Sequence, residues 1–251
     1  MLLHPVLEKL RAMNLKGMAR HLEQQINDEE LATMTFEERL GLMLEEEWCL
    51  REDRKLRNRI RKAKLRQQAC LEDLDYRSAR GLDRSLVNSL ETCGWIKKHR
   101  NVLITGATGT GKTYLAEALA HKACLKGFKA LNTRIDRLLM EFVIARGDGT
   151  YLAKMNAMSK VDVLILDDFG ISPIKDGIAR DLLELMDDRH SHKSTVITSQ
   201  IPLNLWHDAI ADKTLADAIL DRLVHNAYKI ELKGPSMRKV QAESKELQSR
   251  E

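Results

Sequence analysis

The chain has 251 residues, 43% of them hydrophobic and 31% charged, which suffices for one full domain and a smaller appendage. Aromatics are only 4%, Leu, Ala and Met carry the apolar content, and a net charge of +4 is too mild to imply nucleic acid by itself. No apolar run approaches the ~18 residues of a membrane span, the start lacks a basic leader region, and Cys49, Cys70, Cys93 and Cys124 form no Cys-x-x-Cys pair. These features argue against a membrane span, a zinc site and a disulfide framework, and a cytoplasmic protein is expected.

Residues 1 to about 75 read as helices only. Val6, Leu7, Leu10 and Met13 open an amphipathic helix, and Leu15, Met18 and Leu22 continue its apolar face beyond Asn14. Thr35-Phe36-Glu37-Glu38 is a capping box: the threonine hydroxyl satisfies an orphan amide and Glu38 reaches back. From there a proline-free helix can run through Leu40, Leu44, Trp48, Leu56 and Ile60 to Ala63, with Gly41 its weak point. It is polarised. Glu45, Glu46 and Glu47 form an acidic block, and Arg51 to Arg66 carries nine basic residues against two acidic ones. Such a run is either a solvated helix laced by salt bridges or a contact for phosphates or an acidic partner.

Residues 76–98 form a transition, with Arg80-Gly81-Leu82-Asp83 as a turn. Short strand-like runs then alternate with helical patterns such as Lys112–Lys126 and Gly177–Arg189. The strands are expected at Asn101–Thr105, Phe128–Asn132, Val161–Leu166, Thr195–Ser199 and Tyr228–Leu232, which predicts an α/β fold with a parallel sheet and helices on both faces. The expected division is an all-α N-terminal domain at 1–75, an α/β domain at 76–238 and a polar, frayed tail at 239–251. His190 and His192, amid Ser191, Lys193 and Ser194, suit a helix-to-strand loop better than a metal site.

Gly106-Ala107-Thr108-Gly109-Thr110-Gly111-Lys112-Thr113 fits G-x-x-x-x-G-K-[ST] and lies between a strand and a helix opened by Lys112, Thr113 and Tyr114. Its glycines let successive amides converge on phosphate oxygens, Lys112 supplies charge to the β- and γ-phosphates, and the Thr113 hydroxyl can bind Mg²⁺. ATP and Mg²⁺ are therefore expected as ligands. A second strand, Val163-Leu164-Ile165-Leu166, ends in Asp167, placed to hold the cation, and Asp168, placed to polarise the attacking water. The third strand ends in Ser199 and Gln200, either of which could sense the γ-phosphate.

Cradle, Asp-Asp strand and polar third strand, in this order, resemble the AAA+ ATPases. Asp221-Arg222-Leu223-Val224-His225 looks like the arginine-finger segment of the initiator and helicase-loader branch. Gly234-Pro235-Ser236-Met237-Arg238 looks like the sensor-2 segment, with Met237 in place of the usual tyrosine. Over roughly residues 5–240, and particularly from Trp206 through Arg222, the chain is similar to the IstB family, the ATPase helpers of insertion-sequence transposition, whose relatives include DnaC-type loaders. The resemblance implies a homo-oligomer on duplex DNA, with Arg222 completing a neighbour's site, Arg238 acting in cis and a transposase as partner. A replicative helicase loader is the alternative. Asp168 departs from the Glu of most AAA+ proteins and is one methylene shorter, which implies slow hydrolysis. Only 19 residues follow Leu232, so the helical lid is expected to be reduced or absent. Arg134, Arg137, Arg146 and Lys154 fall where the initiator branch lines its DNA-facing interior; the plain alternative is a solvated face. A small-molecule kinase would also use the cradle, but the Asp-Asp pair and the Asp-Arg-Leu segment argue against it, and a scaffold with negligible turnover is the remaining reading.

Overall fold

The computed structural model describes residues 3–28, 31, 33–76 and 81–237; Arg80, Arg238 and the tail 239–251 lie outside these. The chain divides into two compact units, 1–58 and 59–251.

The first unit holds α1 (Leu3–Ala12), α2 (Lys16–Asn27) and most of α3 (Phe36–Ala63). The capping box forms at the start of α3: the Thr35 amide donates to Glu38 Oε2 at 2.8 Å, and the Glu38 amide to Thr35 Oγ1 at 3.3 Å. The Thr35 amide and the Thr35 hydroxyl, which also donates to Glu38 Oε2 at 2.9 Å, hold the Glu38 carboxyl below its ordinary pKa. The helices α2 and α3 touch backbone to backbone at Gly17, where a Cβ would sit 2.7 Å from Glu47 Cα. The Gly17 amide donates to the buried Glu47 carboxylate at 2.7 Å, and Arg51 pairs with its other oxygen.

The second unit begins in the last turn of α3, so residues 59–75, which the sequence assigns with the N-terminal helices, cluster with the sheet. After them come α4 (Arg84–Glu91), α5 (Gly94–Lys97), β1 (Asn101–Gly106), α6 (Lys112–Leu125), β2 (Ala130–Arg134), α7 (Ile135–Gly147) and α8 (Tyr151–Ser159). The chain continues through β3 (Val163–Phe169), α9 (Asp176–Arg189), β4 (Ser194–Ser199), a 3₁₀ turn (Leu203–Ala209), α10 (Lys213–Val224) and β5 (Ala227–Leu232). The five strands are all parallel, in the order β2-β3-β4-β1-β5. Alternation along them sorts the two faces. Leu103, Leu131, Leu164, Leu166 and Ile197 join one core with α7 to α10, closed by Trp206, whose ring lies 4.5 Å from that of Phe169. Val102, Ile104, Val163, Ile165 and Val196 are equally buried and point to the opposite face, which α6 covers. β2 lies two residues later than expected because Phe128 and Lys129 complete the turn after α6. Arg189 is buried, has no ion pair with a carboxylate among the described residues, and donates to the Met158 and Val161 carbonyls at 2.8 and 2.9 Å, and to Thr195 Oγ1 at 3.1 Å. Burial pulls its pKa down to about 9, and its fork ties the end of α8 to the starts of β3 and β4.

Candidate nucleotide site

The cradle leaves β1 at Gly106 and enters α6 at Lys112. Gly109 and Gly111 have φ of +86° and +96°, which side chains rarely adopt. Space matters as much: a Cβ on Gly109 would lie 2.2 Å from Ser236 Oγ, and one on Gly106 2.2 Å from the Leu232 carbonyl oxygen. The Met237 amide donates to the Gly109 carbonyl at 2.9 Å, so the segment after β5 rests on the cradle. Inside the loop, the Ala107 carbonyl accepts from Lys112 Nζ at 2.8 Å and from Thr110 Oγ1 at 2.9 Å. The first-turn amides of α6 and its positive dipole end face the same space.

Asp167 is buried beside Thr113, whose hydroxyl donates to Asp167 Oδ1 at 2.9 Å. The Thr198 hydroxyl donates to the same oxygen and accepts the Asp168 amide at 3.1 Å. The expectation that β3 ends at the first aspartate needs correction: the strand continues to Phe169, with a register shift between Leu166 and Phe169. Asp168 sits in that irregularity with φ of +66°, a left-handed conformation that asparagine, aspartate and glycine tolerate best. Asp168 lines the cleft at the cradle, and its carboxylate pairs with Arg134 at 3.2 Å.

A cleft of about 390 Å³ is lined by Thr108, Gly109, Gly111, Lys112, Thr113, Tyr114, Asp168, Gln200 and Met237. The Gln200 amide oxygen accepts from the Thr108 hydroxyl at 2.7 Å. Ser199, the other sensor candidate, is fully buried and donates to the Phe169 carbonyl at 2.7 Å. The opposite wall escaped the sequence reading: Gln67, Asp73, Leu74 and Asp75, preceding the sheet. Tyr114 joins the walls, its hydroxyl exchanging hydrogen bonds with the Cys70 main chain at 3.3 Å. Glu117, on α6, is fully buried and accepts the amides of Arg66 and Gln67 at 3.1 and 3.2 Å and the Asn132 side chain at 2.6 Å. Burial pushes its carboxyl pKa up against the opposing effect of those amides. Nothing in the pattern of α6 distinguished Glu117 from a surface glutamate.

Arg222 lies far from this cleft. Asn101, the first residue of β1, donates to the Arg222 and Leu223 carbonyls at 3.1 Å, while the cradle begins at the strand's last residue, about 16 Å away at ~3.3 Å per residue. Its guanidinium pairs with Asp187 and donates to the Ala218 carbonyl at 2.7 Å. Arg134, at the end of β2, and Arg137, Arg146 and Lys154 beyond it are engaged within the subunit: Arg134 with Asp168, Arg137 and Lys154 with Glu141, and Arg146 with Asp181. Their charge is largely compensated, which weakens the reading of them as a free phosphate-binding surface.

A family model described as IstB-like ATP binding protein matches residues 8–245. The chain belongs to the IstB-like ATP binding proteins. Among IstB-like relatives, the insertion sequence ATP-binding protein y4pL of Sinorhizobium fredii (strain NBRC 101917 / NGR234) is 49% identical over 241 residues, covering 96% of this chain and 98% of its own. The ATP-binding protein of insertion sequence IS21 from Pseudomonas aeruginosa is 30% identical over 236 residues, covering 94% and 89%. The crystal structure of DnaI superposes with a TM-score of 0.59 at 24% identity, covering 70% of this chain and 94% of that one. AMPPCP-bound DnaA from Aquifex aeolicus superposes with a TM-score of 0.56 at 20% identity, covering 72% and 56%. At these identities the likeness is one of fold, and the fold is that of the AAA+ ATPases. This IstB-like chain is accordingly an ATP-binding ATPase associated with insertion sequences. Among the described residues no helix is long and apolar enough to cross a membrane.

Proposed function

We propose that the protein is a Mg²⁺-dependent ATPase that assembles in several copies on duplex DNA and recruits or stimulates the transposase of its insertion sequence. The observation that carries the chemistry is the meeting of Thr113, Asp167 and Asp168 around one phosphate cradle. A hydroxyl and a carboxylate side by side are hard oxygen donors of the kind Mg²⁺ takes. Bound there with ATP, the cation would neutralise charge developing on the phosphates. Lys112 and the cradle amides hold the phosphates, and Asp168 orients the attacking water. Gln200, next to Thr108 and Asp168 on the cleft wall, takes the sensor role in place of Ser199.

The DNA and transposase assignments rest on the near full-length likeness to insertion sequence proteins. For phosphate contact, Arg54 and Arg57 on α3 are better placed than the paired Arg134, Arg137, Arg146 and Lys154. Both are exposed, one turn apart, and without an ion pair among the described residues. Turnover measured with and without duplex DNA tests the first half: DNA should accelerate it, and an unchanged rate would refute DNA-coupled hydrolysis. Binding to the transposase encoded beside this gene, compared with the host replicative helicase, tests the second. A complex with the helicase alone would replace the transposition reading with that of a helicase loader.

A further inference from the structure

We infer that Arg66 is a built-in counter-cation for Asp167, displaced from it when a metal-bound nucleotide enters. The inference rests on the cation-site reading above. Arg66 Nη1 lies 3.2 Å from Asp167 Oδ2, while Thr113 and Thr198 hold Oδ1. Asp167 is 1% exposed, and a second buried carboxylate, Glu117, is close enough to feel its charge. A carboxylate buried as Asp167 is needs a neighbouring positive charge. Arg66 supplies it, and a divalent cation at Thr113 and Asp167 would supply it instead. Both together would set a guanidinium against a dication across one carboxylate, a repulsion felt most strongly away from water.

The geometry suits an arm that swings on a fixed pivot. Glu117 grips the main-chain amides of Arg66 and Gln67, so the backbone stays at the site. The Arg66 side chain is 43% exposed and has solvent to withdraw into. Gln67, the next residue, lines the cleft, so the arm pivots at the edge of the nucleotide's wall.

The test is a titration of MgCl₂ at fixed mant-ADP, read as fluorescence on binding, for wild type, Arg66→Ala and Arg66→Lys. Removing the competing charge should lower the Mg²⁺ concentration at half-saturation by roughly 3- to 10-fold in Arg66→Ala, the scale of a half-exposed ion pair, with Arg66→Lys closer to wild type. An unchanged or higher midpoint overturns the inference and leaves the nucleotide site standing. Wild-type binding that ignores Mg²⁺ altogether would instead overturn the cation-site reading, and the inference with it. Thermal unfolding supplies a second readout. Arg66→Ala should melt below wild type without ligands, and Mg²⁺ with ADP should close that gap. A gap that persists unchanged means Arg66 never leaves Asp167, which also overturns the inference.

Discussion

Asp168 carries two demands at one residue: a carboxylate at the cleft and a left-handed backbone with φ of +66°. Asparagine meets the second and not the first. Asp168→Asn should therefore keep ATP binding and change stability by less than about 1 kcal/mol, while turnover falls by roughly 100-fold or more. Nucleotide titration, thermal unfolding and single-turnover hydrolysis check the three parts, and wild-type turnover would remove Asp168 from the chemistry. Lys112→Ala should instead abolish ATP binding, since it removes the charge that meets the phosphates. Arg134 pairs with the Asp168 carboxylate at 3.2 Å. Neutralising it as Arg134→Gln is accordingly expected to alter the hydrolysis rate while leaving affinity for duplex DNA within about twofold, the weight of a minor surface contact. A large loss in a salt-controlled DNA-binding assay would restore it to the DNA surface.

Between elements, α2 approaches α3 closely at Gly17. Gly17 leaves no room for a methyl group against the Glu47 backbone, so Gly17→Ala must push the helices apart and loosen the bond to the Glu47 carboxylate. A loss of about 1–3 kcal/mol is expected on unfolding of that unit, despite the better helix propensity of alanine. Thermal melting decides it, and a stabilised variant would mean that the helices yield without cost. This contact was invisible in the sequence, where Gly17 reads as a weak helical position. What was legible follows the same division. The cradle, the Asp-Asp strand and all five strands could be read because local pattern alone determines them: a fixed spacing, or a short apolar run between turns. Ser199 and Gln200 could not be separated, since which of two neighbours faces the core depends on where the strand ends. The left-handed turn at Asp168, the anchoring of Arg66 by Glu117 and the pairing of Arg134 join residues far apart in sequence. No spacing rule reports such contacts.

At the scale of the molecule, Arg222 and the cradle lie toward opposite ends of β1, too far apart to share one cleft. If Arg222 serves phosphate at all, it serves that of another copy, after leaving Asp187. Mixing Lys112→Ala with Arg222→Ala should then restore part of the ATPase activity that each lacks alone, because some interfaces pair an intact cradle with an intact arginine. The restored fraction should rise as the mixture approaches equal parts. No recovery in oligomers shown to contain both variants would assign Arg222 to its salt bridge alone.

The wall formed by Gln67, Asp73, Leu74 and Asp75 bears on how the protein can be dissected. A truncation at residue 76 would excise Arg66 and four of the residues lining the nucleotide cleft together with the helices, whereas one at residue 58 would spare both. Failure of the shorter fragment to hold ATP would be a damaged pocket, and would say nothing about whether α1 and α2 ever approach the nucleotide.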